Sequence, residues 1–218
     1  MQLRMLSRRS LSGSMTIVGD VGQATGHWAP ESWNDVLAHL PHRRGEKVVE
    51  LTVNYRTPVE IMELAGRVLA AAAPGMRPPD SVRSTGDEPV LSRAADGISI
   101  GDAVAGAVRD ELDQLGGGTI AVICAPSHVP ALESGLDAAG IDYGEPNRTG
   151  LDAQVTLVPV DVVKGLEFDG VVVVEPTRIA GESPQGLRAL YVALTRATRR
   201  LAVVHAEPLP PALAVARH

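Results

Sequence analysis

The sequence predicts an α/β fold, a mostly parallel sheet with helices on both faces. Three observations predict it. Apolar runs of strand length alternate with amphipathic stretches of helical period, the pattern of a layered α/β domain. Several runs are unbroken Val, Ile and Leu, as in Gly170–Val174 (GVVVV), which suits strands buried on both sides. The connections are punctuated by Pro and Gly, as at Pro74–Gly86, Gly144–Gly150 and Ala180–Gly186.

Taken in order, the strands expected are Met15–Val18, Val48–Val53, Pro89–Ser92, Thr119–Cys124, Gln154–Val158, Gly170–Val174 and Leu201–His205. Met1–Arg9 reads as a helix. The clearest helix runs from Thr57 to about Ala72: Thr57 is placed to cap it, Pro58 suits its first position and Glu60 stands where a capping box closes. A second covers Asp102–Leu115 and stops at three consecutive glycines, Gly116 to Gly118. A third runs from Ser127 to near Gly140. A fourth covers about Gln185–Thr195, with Leu187, Leu190, Tyr191 and Leu194 on one face.

Composition narrows the function classes. The chain has 218 residues, 44% hydrophobic and 21% charged, with only 3% aromatics, so Ala, Val and Leu must fill the core. A net charge of −6 argues against a dedicated basic nucleic-acid module, which needs concentrated Lys and Arg to displace counterions. No apolar run is long enough to cross a bilayer, and the basic start lacks a signal-peptide core. Cys124 is the one cysteine; without an internal disulfide the chain suits a reducing cytoplasm, and its apolar setting, TIAVIC, reads as a core thiol. The histidines show no ligand spacing, and no metal site is expected.

Four motifs carry chemistry. Gly19-Asp20-Val21-Gly22-Gln23 (GDVGQ) follows an expected strand, where α/β folds place ligands; Gln23 can orient a water or touch a phosphate, and Asp20 can hold a metal or a neighbouring loop. Asn54-Tyr55-Arg56-Thr57 (NYRT) precedes the capped helix; the guanidinium of Arg56 offers a fork for phosphate oxygens and Tyr55 a face for a base. Lys164-Gly165-Leu166-Glu167-Phe168-Asp169 (KGLEFD) gives a cation, a hydroxyl acceptor and a glycine that permits close backbone approach to a ligand. Tyr191 to Ala197 (YVALTRA) ends in Arg196, which reads either as a helix C-terminal cation favoured by the macrodipole or as a mobile arginine finger.

In this order the four resemble motifs III to VI of the UvrD/Rep superfamily 1 helicases, over about Thr16–His205. The resemblance implies a RecA-like (P-loop NTPase-type) domain and one ATP held between two such domains. It implies that Gln23, Arg56 and Arg196 are catalytic, Gln23 sensing the γ-phosphate or attacking water and the two arginines bracketing the γ-phosphate. It implies that Tyr55 stacks on adenine and Glu167 bonds the ribose, with Asp20, Lys164 and Gly165 completing the ATP contacts. Arg56, Glu167 and Arg196 are then expected to converge on one wall of a nucleotide-shaped hollow.

The chain has no GxxxxGK[ST] loop and no DEAQ-like strand end ahead of Gln23. ATP and Mg²⁺ are therefore implied for a longer parent, with a missing N-terminal motor domain as partner, and none is expected on this segment alone. The expected organisation is 1–55 as a remnant of the first motor domain, 56–207 as the second, and 208–218 as a flexible tail. Two departures concern the substrate. The aromatic continuation typical of DNA helicases after the first motif is replaced by Gln23-Ala24-Thr25-Gly26-His27-Trp28-Ala29-Pro30, leaving Trp28 as the candidate for nucleic-acid stacking and Trp33 as a core residue. The interval from Arg56 to Lys164 has no room for the large extra domain of UvrD and Rep. Both departures resemble HelD, a motor-like ATPase that binds bacterial RNA polymerase, so DNA or RNA polymerase is the expected partner of the parent. The alternative is a catalytically dead RecA-like scaffold that only binds protein or nucleotide.

Overall fold

The computed structural model describes residues 2–10, 14–26, 30–40, 46–146 and 153–214. Its elements are α1 (Gln2–Arg9), α2 (Trp33–Leu37), β1 (Val53–Asn54), α3 (Val59–Ala72), β2 (Asp80–Ser81), β3 (Val90–Arg93), α4 (Ile100–Leu115), β4 (Ile120–Cys124), a 3₁₀ turn (Pro126–His128), α5 (Val129–Ala138), β5 (Val155–Pro159), β6 (Phe168–Val174), α6 (Pro176–Gly181), α7 (Gly186–Leu194) and β7 (Ala197–His205).

Five strands form one all-parallel sheet in the order β3-β7-β6-β4-β5. Alternation along each strand sends side chains to two cores. On one face Ala121, Ile123, Val171, Val173, Leu201 and Val203 meet α3, α6 and α7; on the other Ile120, Val122, Val172, Val174, Ala202 and Val204 meet α4 and α5. Ile61 and Val68 of α3 and Leu190 and Leu194 of α7 have no exposed surface, and each such aliphatic side chain contributes about 1.5–3 kcal/mol by leaving water. This is the α/β architecture, helices on both faces, that the alternating pattern predicts.

Local chemistry explains the ends of the helices. Ser99 caps α4, accepting from the Asp102 amide at 3.1 Å and donating to its carboxylate at 2.7 Å, and Gly116 closes the helix at φ 62°. The start of α3 differs from expectation. Thr57 is buried and caps nothing by its side chain. Asn54 organises this entrance instead, its Oδ1 accepting from the amides of Arg56 and Thr57 at 2.9 and 3.2 Å. Glu60 closes no capping box. Its carboxylate turns to the 84–86 loop, accepting from Ser84 Oγ at 2.5 Å and from the Gly86 amide at 2.9 Å.

Three further expectations are corrected. Met15–Val18 is no strand: Val18 is 90% exposed and no backbone pairs with it. Val48–Val53 shrinks to the two residues of β1, which pair in parallel with β2 apart from the main sheet; Val49 and Leu51 stand in solvent. A strand needs a neighbour as well as an apolar sequence. The tail, expected to be flexible from 208 onward, is packed as far as Ala214: Leu213 is fully buried and Thr177 Oγ1 donates to the Pro208 carbonyl. Trp33 is half-buried in α2, its ring against Gly19, and so belongs only partly to a core. The short helices α2 and α6 were not foreseen.

Helices α4 and α5 pack closely where Gly101 and Gly135 face each other. A methyl group on Gly135 would come within 2.5 Å of the Gly101 Cα. Gly135→Ala is expected to lower unfolding free energy by about 1–3 kcal/mol through overpacking, as read by urea denaturation; unchanged stability would show that the helices separate freely. A second expectation concerns acid. Ser84 donation, opposed by burial and reinforced by the loop amides, lowers the Glu60 pKa from 4.5 to about 2. Its contribution to stability is then full above pH 4.5 and disappears as pH falls toward 2. The stability gap between wild type and Glu60→Gln should be present at pH 7 and mostly closed at pH 2, measured by denaturant titration at each pH.

Candidate functional site

The central pieces of the site are fixed by strand pairing. Phe168, first residue of β6, is the register partner of Ala197, first residue of β7, and the Phe168 amide donates to the Arg196 carbonyl at 3.1 Å. Glu167 and Arg196, each one residue upstream, are therefore side by side at the amino ends of adjacent strands. Arg56 arrives from another direction, on the turn between β1 and α3, and its guanidinium meets the Glu167 carboxylate at 2.6 Å. The sheet thus gathers three residues that are far apart in sequence.

Arg83 braces this arrangement. Its Nη1 donates to the Arg56 carbonyl at 3.1 Å and to the Thr198 carbonyl at 2.8 Å, tying the turn that carries Arg56 to the start of β7. Asn54 supports the same turn: beyond its Oδ1 contacts to two amides, its Nδ2 donates to the Thr57 carbonyl at 3.2 Å and to Ser81 Oγ at 3.0 Å. Sequence reasoning passed over both. Asn54 was visible as a turn-forming residue at the head of NYRT; Arg83 sits in an irregular loop with no pattern to mark it.

The two arginines are held differently. Arg56 is 46% exposed. Arg196 is 5% exposed, and each of its three side-chain nitrogens makes one hydrogen bond within the protein: Nε with the Val192 carbonyl at 3.0 Å, Nη1 with the Leu166 carbonyl at 3.3 Å and Nη2 with Thr195 Oγ1 at 3.3 Å. Burial lowers its pKa; the nearby Glu167 favours its charge and Arg56 opposes it, with Tyr191 and Asp20 adding smaller favourable effects. In this conformation Arg196 acts in part as a helix C-terminal cation, donating to the Val192 carbonyl at the end of α7 and also to Leu166 in the loop before β6.

The other expected residues surround this pair. Lys164 Nζ donates to the Gln23 carbonyl at 2.9 Å, fastening the GDVGQ turn to the KGLEFD loop. Asp20 Oδ1 accepts from the Gly22 amide at 2.8 Å, which closes that turn. Asp20 also lies near enough to Tyr191 to reinforce burial in pushing its phenol up to about 12. Gly165 sits at φ 89°, a conformation that favours glycine and lets the loop reverse sharply between Lys164 and Glu167. Tyr55 is 74% exposed, with its ring face in solvent. Trp28 lies outside the described residues.

Two placements differ from the sequence expectation. The charged set collects at the amino ends of β6 and β7, while Asp20 and Gln23 follow an irregular segment instead of a strand. Arg56 and Glu167 form a half-exposed ion pair, and the buried Arg196 lies near enough to feel both charges; no enclosed hollow surrounds them among the described residues. A groove of about 600 Å³ lies elsewhere, between the end of α3 and the start of α7, lined by Ala72, Pro74, Met76, Gln185 and Arg188 among others. That groove is at the opposite end of α7 from Arg196. Cys124 is fully buried, and burial raises its pKa to about 12, which rules it out as a nucleophile. Among the described residues no cluster of His, Cys, Asp and Glu has the makings of a metal centre, and no helix is long and apolar enough to cross a membrane.

Comparison with known proteins bears on this geometry. The fold is similar to that of the C-terminal domain of a possible DNA helicase from Lactobacillus plantarum WCFS1, at 22% identity and a TM-score of 0.54, covering 76% of this chain and 95% of that one. The Sulfolobus solfataricus SWI2/SNF2 ATPase core in complex with double-stranded DNA aligns at 17% identity and a TM-score of 0.39, over 75% of this chain and 35% of that one. No curated protein matches the chain. Residues 154–204, the stretch that carries Lys164, Gly165, Glu167 and Arg196, match the family of UvrD-like helicase C-terminal domains.

Proposed function

We propose that this chain is the arginine-bearing half of a superfamily 1 nucleotide motor, acting on an ATP whose phosphate cradle belongs to a second motor domain. The single observation that carries this reading is the meeting of Arg56, Glu167 and Arg196 on one face, brought there by strand register and by a turn from a distant stretch of the chain. The match of residues 154–204 to UvrD-like helicase C-terminal domains supports it.

The donor set suits a triphosphate in its chemistry. Guanidinium groups present planar forks that match phosphate oxygens, and Arg56 is exposed enough to meet one arriving from outside. When bound, ATP with its Mg²⁺ would supply the phosphoanhydride bond whose cleavage drives the motor. Arg56 and Arg196 would stabilise charge on the phosphoryl group, Gln23 would orient water, and Tyr55 would offer its free face to the base, with Asp20, Lys164 and Gly165 shaping the loops around the nucleotide. Arg196 must first leave the Val192 and Leu166 carbonyls, so its engagement is a conformational step and not a preset contact. Loss of phosphate would return it to those carbonyls and let the two domains separate.

Among superfamily 1 motors we favour the HelD-like, polymerase-associated kind over a strand-separating helicase. Among the described residues, the stretch between Arg56 and Lys164 holds α3, β2, β3, α4, β4, the 3₁₀ turn, α5 and β5, with no inserted domain. The chain is also acidic overall, with a net charge of −6.

Two outcomes test the motor reading. Arg196→Ala, made in the longer protein together with the phosphate-binding domain, should reduce ATP turnover about a thousandfold or more while leaving ATP binding largely intact. Wild-type turnover in that variant would remove Arg196 from the chemistry. The 218-residue chain by itself should bind ATP weakly in calorimetry, because the main phosphate cradle is not in its sequence; micromolar affinity would favour the scaffold that binds nucleotide unaided.

A further inference from the structure

The strongest charge contact in the site joins two of its own functional candidates. Arg56 Nη1 lies 2.6 Å from Glu167 Oε1, with the side chains 46% and 39% exposed. Three features set this pair apart from an ordinary surface ion pair. Asn54 and Arg83 fix the backbone on which Arg56 stands. The register of β6 against β7 fixes the backbone on which Glu167 stands. A second guanidinium, Arg196, is close enough to feel both charges. One carboxylate therefore neutralises Arg56 in the neighbourhood of a second cation, where an incoming anion would be attracted by both guanidinium groups.

We propose that Glu167 is a positioning carboxylate for Arg56, an internal counter-ion that keeps the guanidinium aimed at the phosphate position and gives it up by exchange when a phosphate arrives. The proposal rests on the motor reading and deepens it. An exposed pair of this kind is weak, because water and salt screen it. Weakness is what the exchange requires: a polyphosphate with several negative charges displaces a single carboxylate from Arg56, whereas a deeply buried pair would not release it. The ribose contact implied by the family resemblance is a separate role. It predicts nothing for a ligand that has no ribose.

Inorganic tripolyphosphate is accordingly the probe, titrated by calorimetry at low ionic strength into wild type, Glu167→Gln, Arg56→Ala and the double variant of the full 218-residue chain. Glu167→Gln should bind tripolyphosphate roughly two- to fivefold tighter than wild type, the range that releasing an exposed ion pair allows. The gain should vanish in the Arg56→Ala background and shrink as salt is added. Unchanged or weaker binding by Glu167→Gln, or no measurable binding by either protein, overturns the proposal. So does an equal gain without Arg56, since the carboxylate would then act only through net charge. The motor reading fails on a different measurement, wild-type turnover of Arg196→Ala in the longer protein, so the two failures are distinguishable.

Discussion

The parallel pairing of β6 with β7 is the constraint on which the site depends. Aligning Phe168 with Ala197 leaves Glu167 and Arg196 no choice but to be neighbours. Both strands are buried on both faces by unbroken valines and their partners, so a slip in register would misplace two cores at once. The same apolar runs that hold the sheet together thus determine the spacing of the charged residues at its edge. Stability and site geometry are one property here.

The contrast between the two arginines follows from where each backbone lies. Arg196 leaves the end of a packed helix and enters a central strand, so its side chain has protein on most sides and finds carbonyls there. Arg56 leaves a two-residue strand outside the main sheet and remains half in solvent. A buried guanidinium held by three hydrogen bonds moves only when something better replaces them; an exposed one responds to any strong anion. The site therefore joins a reluctant cation to a responsive one, with a single carboxylate between them.

Much of this was legible in the sequence, for identifiable reasons. The inner strands of the sheet were legible because continuous Val and Ile runs have few other uses in a chain with so few aromatics, while the edge strand β3 (VLSR) showed only as a short apolar pair bounded by turns. Arg56, Glu167 and Arg196 were singled out because their motifs occur in a fixed order. Tertiary partners account for the misses. Met15–Val18 has strand composition and no strand to pair with, and Val48–Val53 has one short neighbour. Glu60 has the spacing of a capping box, yet the 84–86 loop offers it better donors. The engagement of Arg196 with its own helix carbonyls could not be read at all, since nothing in YVALTRA says which way the side chain turns.

Arg83 has a role that none of the motif residues shares. By gripping the carbonyls of Arg56 and Thr198 it works as a gauge block between the turn ahead of α3 and the start of β7. The gap between the turn that carries Arg56 and the strand that follows Arg196 is then braced by a third guanidinium that stands outside the ion pair. Selection acting on that gap can work through a loop residue outside every motif, and the motif letters would stay the same while the reach of the site changed.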